Sequence, residues 1–360
     1  MVKKNLNSLF ITFFIMCNFF VICYKNVNAQ EIHTKPVQID KQLDSEVDSN
    51  LREHHFCGSI LIVKNGQIIV DRSYGNSTQT RLNNDNTAYG IDSVQKIITG
   101  TLIMKVFNKC HLSLDTKLSK FYPQIENSKN ISIRQMLAMT SGLSMDGPVG
   151  PTDLVSDNAI INYDLNHVKF DKNYYGFWRY EQVNYNLLAG ILMKLTGKSY
   201  NALVVNNIIK PLNLKQTFFL PDNNVNISLP FVNNNGIPDF NNVVDNSVAF
   251  WHDELGTGRM AMTSKDVYLM ISGILQGKII NKSLVNRLFV SGSDSTYGGG
   301  TYNMMDAAFN HGLGYGYEAM TCVSKDGKNA VILLSNSAPT GNWSLKYYAE
   351  NLYEKLFYKK

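Results

Sequence analysis

Ala88-Tyr89-Gly90-Ile91-Asp92 leads into Ser93-Val94-Gln95-Lys96, which opens the apolar run Ile97-Ile98-Thr99-Gly100-Thr101-Leu102-Ile103-Met104. The first segment reads as a short extended stretch and the last as a buried helix. A serine at a helix start with a lysine three residues on places hydroxyl and amine on one face, a turn apart. Backbone N–H groups at a helix start lack intrahelical acceptors, and the dipole there is positive, so developing negative charge is stabilised. Serine is a weak nucleophile until a base takes its proton, and a lysine in a dry site can be that base. Alone, Ser-x-x-Lys also arises by chance, as a helix N-terminus with an exposed lysine.

Working outward, residues 1–29 read as an export signal. Lys3 and Lys4 precede an apolar run from Leu9 to Cys23 that is short for a membrane span, and Val27-Asn28-Ala29 offers small residues before Gln30. The other reading is an uncleaved anchor. Ile22 stands before Cys23, where a lipid-attachment site needs a small residue. Removing Lys3, Lys4 and Lys25 takes the formal charge from +5 to +2, which argues against nucleic acid as a partner. Cys57, Cys110 and Cys322 remain, without metal-ligand spacing. They read as free thiols, with one disulfide as the alternative. No metal or cofactor is implied.

Ile39, Leu43, Val47 and Leu51 recur every four residues and predict an amphipathic helix. Ser59-Ile60-Leu61-Ile62-Val63 and Gln67-Ile68-Ile69-Val70 flank Lys64-Asn65-Gly66, a hairpin signal. Ser132 is placed to cap a short helix that ends near Gly142. Residues 144–178 read as loop-rich. Helices are predicted from Val183 to before Gly197, from Asn201 to Ile209 with Pro211 as terminator, from Ser264 to Leu275 and from Leu345 to Leu356. Residues 221–248 are polar around an Asn233-Asn234-Asn235-Gly236 turn. Strands are predicted at Phe309–Tyr317, Glu318–Ser324 and Ala330–Ser335, with a turn at Lys325-Asp326-Gly327. Strands at both ends and helices between predict an α+β fold: an antiparallel sheet built from both chain ends, flanked by helices, with a helical insertion. The expected boundaries are a signal at 1–29 and a domain at 30–360, its α/β part at about 37–110 and 250–360 and its helical part at about 111–249.

Five ordered segments resemble the serine β-lactamase and penicillin-binding-protein superfamily, nearest its class C-type branch, which includes D-alanyl-D-alanine carboxypeptidases and esterases. Phe56-Cys57-Gly58-Ser59-Ile60-Leu61-Ile62-Val63 is similar to the opening hairpin and Ser93-Val94-Gln95-Lys96 to the nucleophile motif. Ile133 to Leu143, with Thr140-Ser141-Gly142-Leu143, is similar to a segment that usually ends His-Thr-Ser-Gly-Leu. Asn184 to Gly190 resembles the helix after the tyrosine motif. His311-Gly312-Leu313-Gly314 falls where the Lys-Thr-Gly or His-x-Gly strand belongs. The resemblance implies a β-lactamase/transpeptidase-like fold. It implies Ser93 as the acylated nucleophile, Lys96 as proton acceptor and Tyr180 as proton shuttle. It places Gln182, His311 and Gly312 beside the substrate, with oxyanion N–H groups at Ser93 and Gly314. The implied partner is a cell-wall peptide, a D-alanyl ester or a small acyl substrate, met outside the cytoplasm. The rivals are a small-ester hydrolase, a β-lactamase, or a weakened homologue that only binds wall material or a partner.

Two departures stand out. Tyr180-Glu181-Gln182 replaces Tyr-x-Asn, and Leu313 stands where glycine is usual, so both are expected to narrow the pocket for bulky β-lactams. Several residues carry plainer readings. Tyr180 fits aromatic packing beside Tyr174-Tyr175-Gly176-Phe177-Trp178, and His311 a strand histidine. Gly256 and Gly258 fit a turn. His54-His55 and His252-Asp253-Glu254 read as solvated loop residues, and Asp92 as an N-cap.

Overall fold

Asn65 and Gly66 both take positive φ, 51° and 76°, and turn β1 (Gly58–Lys64) back onto β2 (Gln67–Tyr74), as Asn-Gly predicts. The computed structural model describes residues 40–147, 149–150, 156–245 and 254–358. The expected export signal at 1–29 lies outside them, as does Ile39. From the other end of the chain come β3 (Tyr297–Gly298), β4 (Thr301–Asn303), β5 (Ala307–Gly314), β6 (Tyr317–Ser324) and β7 (Ala330–Ser335). Together these make a seven-stranded antiparallel sheet in the order β3-β4-β5-β6-β7-β1-β2. Both chain ends therefore build one sheet, with β1 paired to β7 from Gly58↔Ser335 to Val63↔Ala330. This is the α+β fold that the element order predicts.

The sheet is covered on both faces, which is why β1 reads as an unbroken apolar run rather than an alternating one. Ile60 and Ile62 pack outward with α1 (Lys41–Glu53) and α6 (Leu345–Phe357). Leu61 and Val63 pack inward with α2 (Lys96–Lys109), α4 (Val183–Thr196) and α5 (Ser264–Leu275). In α1, Leu43, Val47 and Leu51 are buried, as their spacing predicts, and Asp44 accepts two hydrogen bonds of 2.5 Å from Arg72 of β2. Asp40 caps α1, and Ser132 closes a capping box with Gln135 at the start of Ile133–Leu137.

Several boundaries differ from expectation. The segment 144–178 contains α3 (Asp157–His167), capped by Ser156, and a strand, Lys169–Tyr175, paired with Ser141–Ser144. Residues 231–243 form a hairpin rather than a bare turn. The helix from Tyr200 runs past Pro211 to Leu212, and Asn213 in the left-handed region ends it. Proline is tolerated there because Lys210–Leu212 begins a new turn, where a missing N–H costs little. The strand expected at Phe309–Tyr317 breaks at Tyr315-Gly316, whose φ values of 51° and 82° form the β5–β6 turn. Cys57, Cys110 and Cys322 are free thiols, Cys57 and Cys322 buried.

Candidate active site

Ser93 lies in a 3-10 turn, Asp92–Gln95, that runs directly into α2. Lys96, one turn on, is fully buried, and its Nζ donates to Ser93 Oγ at 2.7 Å and to the Thr257 carbonyl at 3.4 Å. The same Nζ sits 5.2 Å from the centre of the Tyr180 ring. Tyr180 also meets Tyr297 edge to face, with centroids 5.9 Å apart. The side chains of Ser93, Lys96 and Tyr180 thus converge from the sheet side and from the helical segment.

The Leu255–Gly258 turn is held by bonds from the nucleophile turn, α2 and α4. Gln95 Nε2 donates to the Leu255 carbonyl at 3.1 Å, Thr99 Oγ1 to the Gly256 carbonyl at 2.7 Å, and Gly256 N–H to Asn186 Oδ1 at 3.0 Å. Gly256 and Gly258 are more than a turn. A Cβ on Gly256 would stand 2.4 Å from the Tyr185 carbonyl, and one on Gly258 would stand 2.9 Å from Glu254 Oε2. Glycine here lets the turn close onto the site.

β5 passes beside the nucleophile. A Cβ on Gly312 would lie 2.2 Å from the Ile91 carbonyl and 3.0 Å from the Ser93 nitrogen, and one on Gly314 would lie 2.6 Å from Asp92 Oδ1. Side chains alternate across a strand, so positions 310, 312 and 314 face the nucleophile turn. His311 and Leu313 face the other way. His311 Nε2 bonds Glu318 Oε1 at 2.9 Å, and Leu313 is 60 % exposed. His311 therefore does not reach the substrate side, and Leu313 does not narrow the pocket. The backbone shows the same register. A two-residue turn joins Gly314 to Tyr317, so this closing pair exchanges hydrogen bonds and Gly314 N–H is committed to β6. The Ala307 and Phe309 carbonyls point the opposite way, accepting from Met304 N–H and from Thr301 Oγ1. By alternation the Leu313 N–H faces that open edge. The Gly314 N–H, expected as an oxyanion donor, therefore faces β6 rather than the open edge.

Asp92 is not an N-cap. It has φ 42°, makes no capping bond, and Oδ2 has no partner. Positive φ swings its carboxyl toward Gly314. Burial, helped by the nearby Glu254 carboxylate and opposed by Lys96, pushes the Asp92 carboxyl well above the usual carboxylate range.

Glu254, expected in solvent, is 8 % exposed. With its amide nitrogen turned to the carboxylate, Gln182 donates to both Glu254 oxygens, at 2.9 and 3.1 Å, and Thr257 Oγ1 also donates to Oε2. Gln182 therefore serves Glu254 rather than Lys96. His252 and Asp253 lie outside the described residues, and His54 stacks on Trp343. A cavity of about 360 Å³, lined among others by Met145, Val149, Tyr180, Gln182, Glu254 and Tyr315, opens beside this cluster. A larger one, about 750 Å³, lies between α1 and α6 behind the sheet, away from the nucleophile. Only the smaller one has chemistry at its wall. Among the described residues no group of three or more His, Cys, Asp or Glu side chains could hold a metal.

A family model described as Beta-lactamase matches residues 43–354. The chain belongs to the beta-lactamase family. Its relatives include PbpX of Bacillus subtilis (strain 168), named for penicillin binding, at 27% identity over 334 residues, 89% of this chain and 83% of PbpX. Protein flp of Staphylococcus aureus (strain MRSA252) is 31% identical over 199 residues, and the match spans 51% of this chain and 39% of flp. FmtA from Staphylococcus aureus superposes with a TM-score of 0.75 at 23% identity, covering 89% of this chain and 91% of FmtA. The D-amino acid amidase from Ochrobactrum anthropi SV3 gives 0.73 at 16% identity, covering 88% and 98%. These two share the fold. The beta-lactamase family is one of serine hydrolases, penicillin-binding-protein-like proteins among them.

Proposed function

We propose that the chain is a serine hydrolase that works through an acyl-enzyme on Ser93, with small D-alanyl esters, amides or peptides of the cell envelope as its substrate class. The observation that carries this reading is the 2.7 Å bond between Ser93 Oγ and a fully buried Lys96 Nζ, which stands beside the ring of Tyr180, a residue of the cavity wall. In the first step Lys96 takes the Ser93 hydroxyl proton as Oγ bonds to the acyl carbon. The oxygen of the tetrahedral intermediate accepts from the Ser93 and Leu313 N–H groups. On collapse the bond to the leaving group breaks, and that group takes a proton relayed through Lys96 and Tyr180. Water then attacks the acyl carbon and gives a proton to the same pair; the bond between the acyl carbon and Oγ breaks, and Oγ takes that proton, which restores the Ser93 hydroxyl.

The leaving group is an alcohol or amine in preference to one bearing a carboxylate. Lys96 is engaged with Ser93, Arg179 with Glu181 at 2.8 Å, and His311 faces away. Among the described residues no lysine, arginine or histidine lines the cavity. Residues 1–29 support action outside the cytoplasm. Labelling with a fluorophosphonate and with a fluorescent penicillin tests the reading. The first is expected to modify Ser93 and the second to react poorly. Ser93→Ala is expected to abolish labelling with stability within about ±0.5 kcal/mol. Undiminished labelling of the alanine variant overturns the assignment.

A further inference from the structure

Glu254 is a carboxylate placed where the proposed reaction gives it no task. It is buried at the wall of the cavity that also holds Tyr180. It accepts hydrogen bonds only from neutral donors, the Gln182 amide and the Thr257 hydroxyl. None of the described lysines or arginines pairs with it. Lys96 points to Ser93, Arg179 pairs with Glu181, and Arg259 turns away to Asp157 at 3.0 Å and Asn201 at 2.7 Å. The second acidic side chain beside it, Asp92, is a carboxyl and offers no positive charge in either protonation state. A buried charge without a partner is costly unless something compensates it. The compensation has to come from outside, and the open side of Glu254 is the cavity.

We infer that Glu254 receives the free ammonium group of the substrate, so the acyl donor is an unblocked aminoacyl ester or amide rather than an N-acylated peptide. This rests on the Ser93 acyl-enzyme reading and narrows it. Thr257 joins the two centres: its carbonyl accepts from Lys96 Nζ, and its hydroxyl donates to Glu254. Glu254 is thus linked to the Ser93 hydroxyl by three hydrogen bonds, through Thr257 and Lys96. A Cβ on Gly258 would lie 2.9 Å from Glu254 Oε2 and 3.1 Å from Asp92 Cα, so the carboxylate stands close to the residue before the nucleophile, and an ammonium on the carbon next to a carbonyl held at Ser93 is the group placed to meet it. A cavity of about 360 Å³ suits a small aminoacyl group. A charge-assisted hydrogen bond also fixes the orientation of that group.

The test uses alanine p-nitroanilide and its N-acetyl derivative, each as both enantiomers, with the full chain. Wild type is expected to favour the free amine in kcat/KM by at least about tenfold at pH 7, the scale of a hydrogen bond between charged groups. The preference is expected to fall as pH rises through the amine's own titration, near about pH 8. In Glu254→Gln the ratio of the two rates is expected to drop to within about threefold of unity; because a ratio is read, a general loss of activity cancels. Equal or faster turnover of the N-acetyl substrate by wild type overturns the inference, as does an unchanged ratio in the variant. The wild-type ratio and its pH dependence decide the matter if the variant does not fold. Fluorophosphonate labelling separates the two levels. Labelled Ser93 with no amine preference refutes the ammonium site alone. Absence of labelling refutes the acyl-enzyme reading and the ammonium site with it.

Discussion

Asp92 is the residue whose sequence position most misleads. A carboxylate next to a helix start suggests a cap, but a cap needs its oxygen aimed at the N–H groups of the first turn. The φ of 42° points it at Gly314 instead, where Oδ2 is buried without a partner. Glu254, Lys96 and Tyr317 are the titratable groups that feel it. Its folded pKa is raised, so the folded state holds the proton where the unfolded chain has released it. Stability is then full below the unfolded value, near about pH 4, and falls as pH rises toward the folded pKa. Asp92→Asn removes this dependence. The melting temperature of the variant minus that of wild type is expected to rise as pH increases above about 4; a difference that stays flat refutes the assignment. Ser93 and Lys96 were legible because the motif is local. Glu254 was not, because the side of a glycine bend that faces inward is set by Gln182 and Thr257, residues that fold onto it.

At the scale of elements, the decisive object is β5 and its register against the nucleophile turn. Sequence placed the right strand beside Ser93 and gave it the wrong phase. The reason is Tyr315: tyrosine at φ 51° is an unusual turn residue, so the β5–β6 hairpin was hidden inside an apparent strand. One residue of phase exchanges the two faces of a strand. The fit of β5 to the Asp92–Gln95 turn depends on Gly312, whose added Cβ would meet backbone rather than a movable side chain. Gly312→Ala is expected to cost about 1–3 kcal/mol of stability and to slow fluorophosphonate labelling of Ser93 by more than about tenfold, since the donor edge shifts from the reacting oxygen. Leu313→Gly, on the far face, is expected to bring no gain in β-lactam acylation. A gain would restore the phase that put Leu313 in the pocket.

At the scale of the molecule, one sheet divides two apolar layers with different duties. The inner layer joins α2, α4 and α5 and fixes the nucleophile turn; the outer layer joins α1 and α6 and carries no candidate site residue. The order of strands and helices along the chain was enough to foresee a sheet closed by both termini, because only that arrangement pairs β1 with β7. The face each helix covers was not foreseeable, since β1 is apolar on both sides and gives no alternation to read. Division into layers makes stability and chemistry separable. Leu51 is fully buried in the outer layer, where α1 meets the sheet. Leu51→Ala is expected to cost about 2–5 kcal/mol through lost burial and the cavity left behind. Well below its melting temperature the same variant is expected to label at Ser93 at the wild-type rate per folded molecule, because the sheet stands between the cavity and the site and distant substitutions act independently. The check is a denaturant titration paired with labelling kinetics on the same sample. A labelling rate that falls along with the stability would mean that the two layers move as one, and that the outer helices help to set the geometry at Ser93.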